Sequence, residues 1–278
     1  MAFALYLVLR HCFGDPIATP IRWAVVAAAV AGAALGAKLL YSLEDPNLTI
    51  ANLHNPAYLI GGKTIVGALA GGLITVELVK GYIGLRTSTG DLYAIPLAAG
   101  IAIGRIGCFL TGLSDNTYGI ATKLPWGVDF GDGTLRHPTQ LYEIVFLLCL
   151  IPFLYTVLKR NVIRGEGATS EAREAQSKAC PEPAEPGPYP DSKSIDAQHP
   201  PKARSPRPET LLPGDAFILF MFAYMTFRLL ADFLKPYPRV FLGLGGIQWA
   251  CVAILLYYSR DIFRFLGVRP GTTGKGTT

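Results

Sequence analysis

Long stretches of this chain carry almost no charge over the length of a membrane crossing. Ile21 to Leu43, Leu59 to Val79, Leu92 to Gly112, Thr139 to Leu158 and Ala216 to Leu234 are such runs, and Gly243 to Tyr258 is a shorter sixth. A helix needs ~20 apolar residues to cross the hydrocarbon core. In lipid each backbone polar group must be satisfied within its own segment, so runs of this kind fold as helices. The fold class expected is an all-α integral membrane protein, a polytopic helical bundle of about six transmembrane helices. The charged residues, 16% of the chain, cluster between the runs. The net charge of +5 therefore reads as basic flanks of membrane spans, and it gives no case for nucleic acid as a partner.

The organisation follows. Residues 1–160 hold the first four spans with an outside loop at 113–138. Residues 161–212, rich in Pro, Glu, Ala, Ser and Lys without an apolar period, are expected to be a disordered cytoplasmic linker. Residues 213–278 hold the last two spans and a Gly/Thr-rich tail. Residues 2–9 are apolar but too short to span, and are expected at the membrane interface; with no basic lead and no small-residue cleavage pattern they make a poor signal peptide. Arg10 and Arg22 precede the first span, Lys80 and Arg86 follow the second, Lys159, Arg160 and Arg164 follow the fourth, and Arg260, Arg264 and Arg269 follow the sixth. Alternate loops are thus basic, which puts both termini and the linker in the cytoplasm; Lys38, Lys123, Arg136, Lys235 and Arg239 are exceptions to that bias. Cys12, Cys108, Cys149, Cys180 and Cys251 form no CxxC pair and the four histidines are scattered, so neither a disulfide framework nor a metal site is expected, and no cofactor.

A charge inside a span is costly and its position usually has a functional reason. Arg105 lies seven residues before the outer end of the third span, Arg228 seven residues before Lys235, and Glu143 five residues past Pro138. At 1.5 Å per residue all three fall roughly 10 Å below the outer surface. Tyr224, Arg228 and Asp232 follow at i, i+4 and i+8, one stripe of the fifth span in which Asp232 can neutralise Arg228. Arg105 has no acid on its own helix. Its counter-ion must come from another helix, a wet cavity or a ligand, and phosphate suits a guanidinium through two parallel hydrogen bonds. Gly67/Gly71 and Gly100/Gly104 are GxxxG pairs that permit close helix approach. Gly61-Gly62-Lys63-Thr64 is not a phosphate loop, because Ala57 stands where the first glycine is needed; a bent lead-in to the second span is expected instead.

The stretch from Gly100 to Glu143 resembles the prolipoprotein diacylglyceryl transferase family. Gly104-Arg105-Ile106-Gly107-Cys108-Phe109 is similar to its G-R-x-G-N-F motif, His137-Pro138-Thr139-Gln140-Leu141-Tyr142-Glu143 to its H-P-S-Q-L-Y-E motif, and Tyr224, Phe227, Arg228 and Asp232 to its Y-x-x-F-R-x-x-x-E stripe. Gly245-Gly246-Ile247-Gln248 resembles its MGQ loosely. The resemblance implies a bacterial inner-membrane enzyme, multi-pass, with its site facing the outer leaflet. It would move diacylglyceryl from phosphatidylglycerol to the lipobox cysteine thiol of a prolipoprotein signal-peptide segment. It implies Arg105, Arg228, Glu143 and Tyr224 as catalytic residues. It implies substrate contacts at Gly104, Gly107, Asp115, Tyr118, Gly119, His137, Gln140, Tyr142 and Asp232, the loop 113–138 being periplasmic. Three departures stand out. Val66 occupies the place of the family's H-G-G-L histidine, a candidate base. Cys108 replaces an asparagine, and Asp115 stands in a longer turn for a glutamate. Six spans are counted against the family's seven.

Plainer roles also fit several of these residues: a structural ion pair for Arg105, an interface position for Tyr142 and Tyr224, a helix start for His137, and packing for Cys108. Two other functions are open, a family relative with a different acceptor or no catalysis, and a transporter for anions or lipid. No internal repeat of the transporter kind is present. The alternation of basic loops has a direct check. A reporter fused at Asn116 is expected outside the cytoplasm and one at Ser192 inside; Ser192 found outside reverses the orientation of the arginine layer.

Overall fold

The structure is a computed structural model that describes residues 1–13, 19–56, 58, 61–85, 88, 90–179, 214–236 and 242–265. Helices α1 (Ala2–Phe13), α2 (Thr19–Glu44), α3 (Pro46–Ala51), α4 (Ile65–Ile83), α5 (Asp91–Thr111), α6 (Thr139–Ala179), α7 (Asp215–Ala231), α8 (Gly246–Tyr257) and α9 (Ser259–Phe265) follow in order. Two short strands, β1 (Val128–Asp129) and β2 (Leu135–Arg136), pair antiparallel in the polar loop between α5 and α6. The chain is a helical, multi-pass membrane protein. Five helices among the described residues are long and apolar enough to cross a bilayer, and their positions match the first five expected runs.

The sixth run departs from expectation. Its helix, α8, has 12 residues, which at 1.5 Å per residue covers ~18 Å, short of a ~30 Å hydrocarbon core. The N-terminal run forms α1, which packs on the bundle. Tyr6 stacks on Tyr93 of α5 with ring centroids 4.9 Å apart, and Leu9 joins the core. Helix α6 continues as backbone to Ala179, inside the stretch expected to be a linker; residues 180–212 of that stretch lie outside the described residues.

Small residues set the closest crossing. Gly32 and Gly36 of α2 face Gly67 and Gly71 of α4, so that a Cβ on Gly36 would fall 2.3 Å from the Gly67 carbonyl oxygen and one on Gly71 2.1 Å from that of Gly32. Lipid offers no hydrophobic drive to press helices together, and small residues allow the backbone contact that does. Thr75 Oγ1 adds a hydrogen bond to the Ala28 carbonyl at 2.8 Å. The other GxxxG pair behaves differently. A Cβ on Gly100 would meet that of Ala2 at 3.3 Å, while Gly104 has open space beside it. The lead-in to α4 is bent as expected. Gly62 adopts φ +50° against the Tyr41 ring, and Thr64 caps α4 by accepting from Gly67 N at 3.2 Å. Lys38, an exception to the charge bias, donates from within α2 to the carbonyls of Tyr58 and Gly61, each at 2.9 Å.

At one end of the bundle Asp91 Oδ2 accepts from Gly214 N at 2.6 Å and Oδ1 from Phe217 N at 3.2 Å, which starts α7 against α5. At the other end gather the C-terminus of α2, the polar loop, the start of α6 and residues 232–235. Ile120 N donates to the Leu234 carbonyl at 2.7 Å, and Gly246 packs on Glu44. Gly36→Ala is expected to destabilise the bundle by about 1–3 kcal/mol through overpacking, whereas Gly104→Ala leaves stability nearly unchanged. Thermal unfolding in detergent reads the contrast.

Candidate active site

The charges predicted to share one level do so, and they meet. Arg105 from α5 and Arg228 from α7 converge on Glu143 in the first turn of α6. Arg105 Nε comes within 2.9 Å of Glu143 Oε2, an ion pair without hydrogen-bond alignment, and Arg228 Nη1 within 3.3 Å of the same oxygen. Tyr224 OH donates to the other oxygen, Oε1, at 2.6 Å. Arg228 Nη2 also reaches Asp232 Oδ1 at 3.5 Å, so the helical stripe closes as its spacing requires. Side-chain exposure is 2% for Glu143, 6% for Arg105 and 5% for Arg228. Ions this deeply buried persist only when paired and hydrogen-bonded. Tyr224, fully buried, is a partner of the carboxylate and not an interface aromatic.

Arg105 is the less committed arginine. Beyond its ion pair with Glu143, its hydrogen bond among the described residues is a weak one, from Nη1 to Cys108 Sγ at 3.9 Å. Gly104 and Cys108, on either side of it, line a cavity of about 920 Å³ that runs between α2, α4, α5 and α7 to Asp215 and Arg264 at the opposite end. Its walls are mainly aliphatic, with Val26, Ala29, Leu73, Leu97 and Ile101 among them. Gly107, like Gly104, has open space beside it.

The remaining predicted residues brace the loop. Thr139 Oγ1 donates to the Thr117 carbonyl at 2.6 Å, Gln140 Nε2 to Thr117 Oγ1 at 3.1 Å, and Thr117 Oγ1 to Asp115 at 2.7 Å. Gly119 N donates to the His137 carbonyl at 2.9 Å. A Cβ on Gly119 would sit 2.6 Å from His137 Cβ, so this position must be glycine for the two segments to touch. His137 Nδ1 lies 3.1 Å from Tyr142 OH, which also receives Trp126 Nε1 at 2.8 Å. Tyr118 lies under the Arg136 guanidinium, 4.9 Å from its ring centroid. The recorded contacts of Asp115, Tyr118, Gly119, His137, Gln140 and Tyr142 thus hold the loop on the start of α6, beside the ionic cluster and not in it.

Three residues at the cluster had no assigned role in the sequence reading, or only a loose one. Lys235 is 4% exposed, and burial, with Arg228 and Arg105 alongside, pushes its ammonium down to about 7. Its spacing of i+7 from Arg228 was the available signal. Gln248 accepts from Gly245 N at 2.9 Å and donates to the Leu229 carbonyl at 3.4 Å, which pins the start of α8 to α7. Glu44, at the end of α2, lies within electrostatic reach of Asp232, Arg228 and Lys235. No local pattern marks it, because helix packing alone carries it there.

A profile of the family described as prolipoprotein diacylglyceryl transferase matches residues 3–171, more than half of the chain. The chain belongs to the prolipoprotein diacylglyceryl transferase family. The match takes in α1 and both the Arg105 and His137–Glu143 motifs; Arg228 lies beyond it and is tied to them by its contact with Glu143. Among similar proteins is a phosphatidylglycerol–prolipoprotein diacylglyceryl transferase of Clostridium tetani, 38% identical over 134 residues, which are 45% of this chain and 52% of that protein. A protein of the same name from Solidesulfovibrio magneticus is 38% identical over 153 residues, 49% and 53% of the two chains. One from Campylobacter lari is 46% identical over 67 residues, 22% and 23%. The chain spans about half the length of the first curated relatives it matches.

Removing the shared anion should be the most damaging single change in the cluster. Glu143→Gln leaves two buried guanidinium ions facing a neutral amide, and is expected to cost about 3–5 kcal/mol. Asp232→Asn, whose arginine contact is long and whose partner keeps Glu143, should cost clearly less. Thermal unfolding of the two variants side by side measures the difference.

Proposed function

We propose that this protein transfers diacylglyceryl from phosphatidylglycerol to a cysteine thiol of a prolipoprotein, as the names of its relatives describe for them. The observation that carries the reading is Arg105, buried and held by one shared carboxylate oxygen, on the helix whose Gly104 and Cys108 line an aliphatic cavity. An apolar cavity suits acyl chains, and a guanidinium beside the residues that line it suits the phosphate that follows them. The thiolate attacks the glyceryl carbon, the bond from that carbon to the phosphate oxygen breaks, and glycerol phosphate departs with the electron pair. Charge grows on the phosphate as it leaves, and Arg105 and Arg228 stabilise that growth from fixed positions. Glu143 and Tyr224 act by holding both arginines in place before the lipid arrives. Asp232 restrains Arg228, which leaves Arg105 as the freer grip.

The orientation proposed is that of the basic loops. The protein lies in a bacterial plasma membrane, with the ionic cluster and the loop at 113–138 on the outer side and the stretch 161–212 in the cytoplasm, dispensable for chemistry. The loop would border the path of the incoming signal-peptide segment. One observation favours a second reading. Val66, where the family has a histidine, is fully buried in the apolar core, so a relative that uses the same lipid with another acceptor also fits.

Purified protein given phosphatidylglycerol and a lipobox peptide is expected to form the diacylglyceryl thioether. Arg105→Ala should lower the rate by ~10²–10³-fold, the range for loss of a transition-state donor. Arg105→Lys should be nearly as poor, since an ammonium cannot give the two-pronged grip. Arg228→Lys should be milder. Absence of product with phosphatidylglycerol still bound through Arg105 would favour the second reading. Absence of lipid binding would leave the cluster as a structural ion pair.

A further inference from the structure

We infer that Glu44 is the base that takes the proton from the acceptor thiol, an inference that rests on the transferase reading above. The thiolate is the reactive form, so some group must receive that proton. The position of the family histidine is filled by Val66, which is apolar and buried. His137 is engaged with Tyr142 in the loop. Both oxygens of Glu143 are in use, one by Tyr224 and the other by the two arginines, and Asp232 holds Arg228.

Glu44 is differently placed. Its Oε1 is buried with no hydrogen-bond partner, alone in this among the carboxylates of the described residues. An acceptor oxygen left so is costly unless something donates to it. The residue as a whole is half-buried, so the carboxyl is shielded without being sealed off. It closes α2 at the end of the bundle where the arginine layer lies, with the start of α8 packed on its backbone. The charged groups within electrostatic reach of it are Arg228 of α7 and, just after that helix, Asp232 and Lys235. On its own element side stand Tyr41, one turn back, and Asp45, whose Oδ1 is occupied by Leu48 N. Facing groups of both signs let the site hold Glu44 either ionised or protonated. In the reaction the thiol proton passes to the Glu44 carboxylate, sulfur bonds to the glyceryl carbon, and the carbon–oxygen bond breaks. The protonated carboxyl then returns the proton to the departing glycerol phosphate, which restores the starting state.

The test uses the full chain with phosphatidylglycerol and a lipobox peptide, and follows single-turnover thioether formation against pH. Loss of a general base lowers rates by ~10²–10⁴-fold. Glu44→Gln is expected to fall by that factor with bound phosphatidylglycerol and unfolding temperature unchanged, while Glu44→Asp keeps a measurable part of the rate. A peptide with selenocysteine for cysteine, ionised by itself near neutral pH, should react with Glu44→Gln at close to the wild-type rate. A wild-type rate for Glu44→Gln with the thiol peptide overturns the inference. So does an equal defect with both peptides, or unfolding of both Glu44 variants, each of which marks a structural residue. An acid limb that survives in Glu44→Gln and disappears in Lys235→Met assigns the base to Lys235 and also overturns it. Failure of the wild-type protein with both peptides is a failure of the transferase reading itself.

Discussion

Two guanidinium groups from different helices share one oxygen of Glu143, and much of the molecule exists to make that arrangement tolerable. Either arginine alone in an apolar bundle would be costly, and so would the carboxylate without them. The tyrosine on its other oxygen completes its hydrogen bonding. Such a group is over-determined. Helices α5, α6 and α7 must all stand at the right depth and rotation, and the strands and hydrogen bonds of the polar loop hold the start of α6 at that depth. Gln248 serves the same end by fixing α8 on α7.

The cluster is held in advance but not saturated. A fully neutralised network would be a strut. Here Arg105 keeps donors that meet little beyond a sulfur atom, and its helix neighbours Gly104 and Cys108 line the aliphatic cavity. Rigid placement with spare hydrogen-bonding capacity is what preorganised stabilisation of a developing anion requires. The close α2–α4 crossing stands beside the cavity. The glycines that touch are spent on helix contact, and those on α5 that do not, Gly104 and Gly107, leave room.

Much of this was legible in the residues. Charge-poor runs of the needed length locate the first five spans, because a bilayer imposes one length on every crossing. The i, i+4, i+8 stripe of Tyr224, Arg228 and Asp232 is a property of a single helix, and it appears as spacing dictates. The depth of Arg105, Glu143 and Arg228 follows from counting residues at constant rise. The motifs that resemble the family's then single out the same side chains.

What depth does not settle is rotation. Equal depth on three helices leaves open whether the side chains point inward, and only packing turned them onto one carboxylate. Glu44 and Lys235 show the limit most clearly. Each sits at the end of a span, where a charge reads as an ordinary flank, and Glu44 is brought to the cluster only by contacts between elements distant in sequence. The second GxxxG pair teaches the same point, since identical spacing packs tightly in α4 and opens onto a cavity in α5. By itself the sequence determined that the chain crosses a membrane, where its first five spans run and that Arg105, Glu143 and Arg228 share one level, because those depend on composition and helical rise. Which charges share a partner, which glycines touch and which carboxyl oxygen is left without a donor were decided by tertiary structure, because they depend on how each helix is turned against its neighbours.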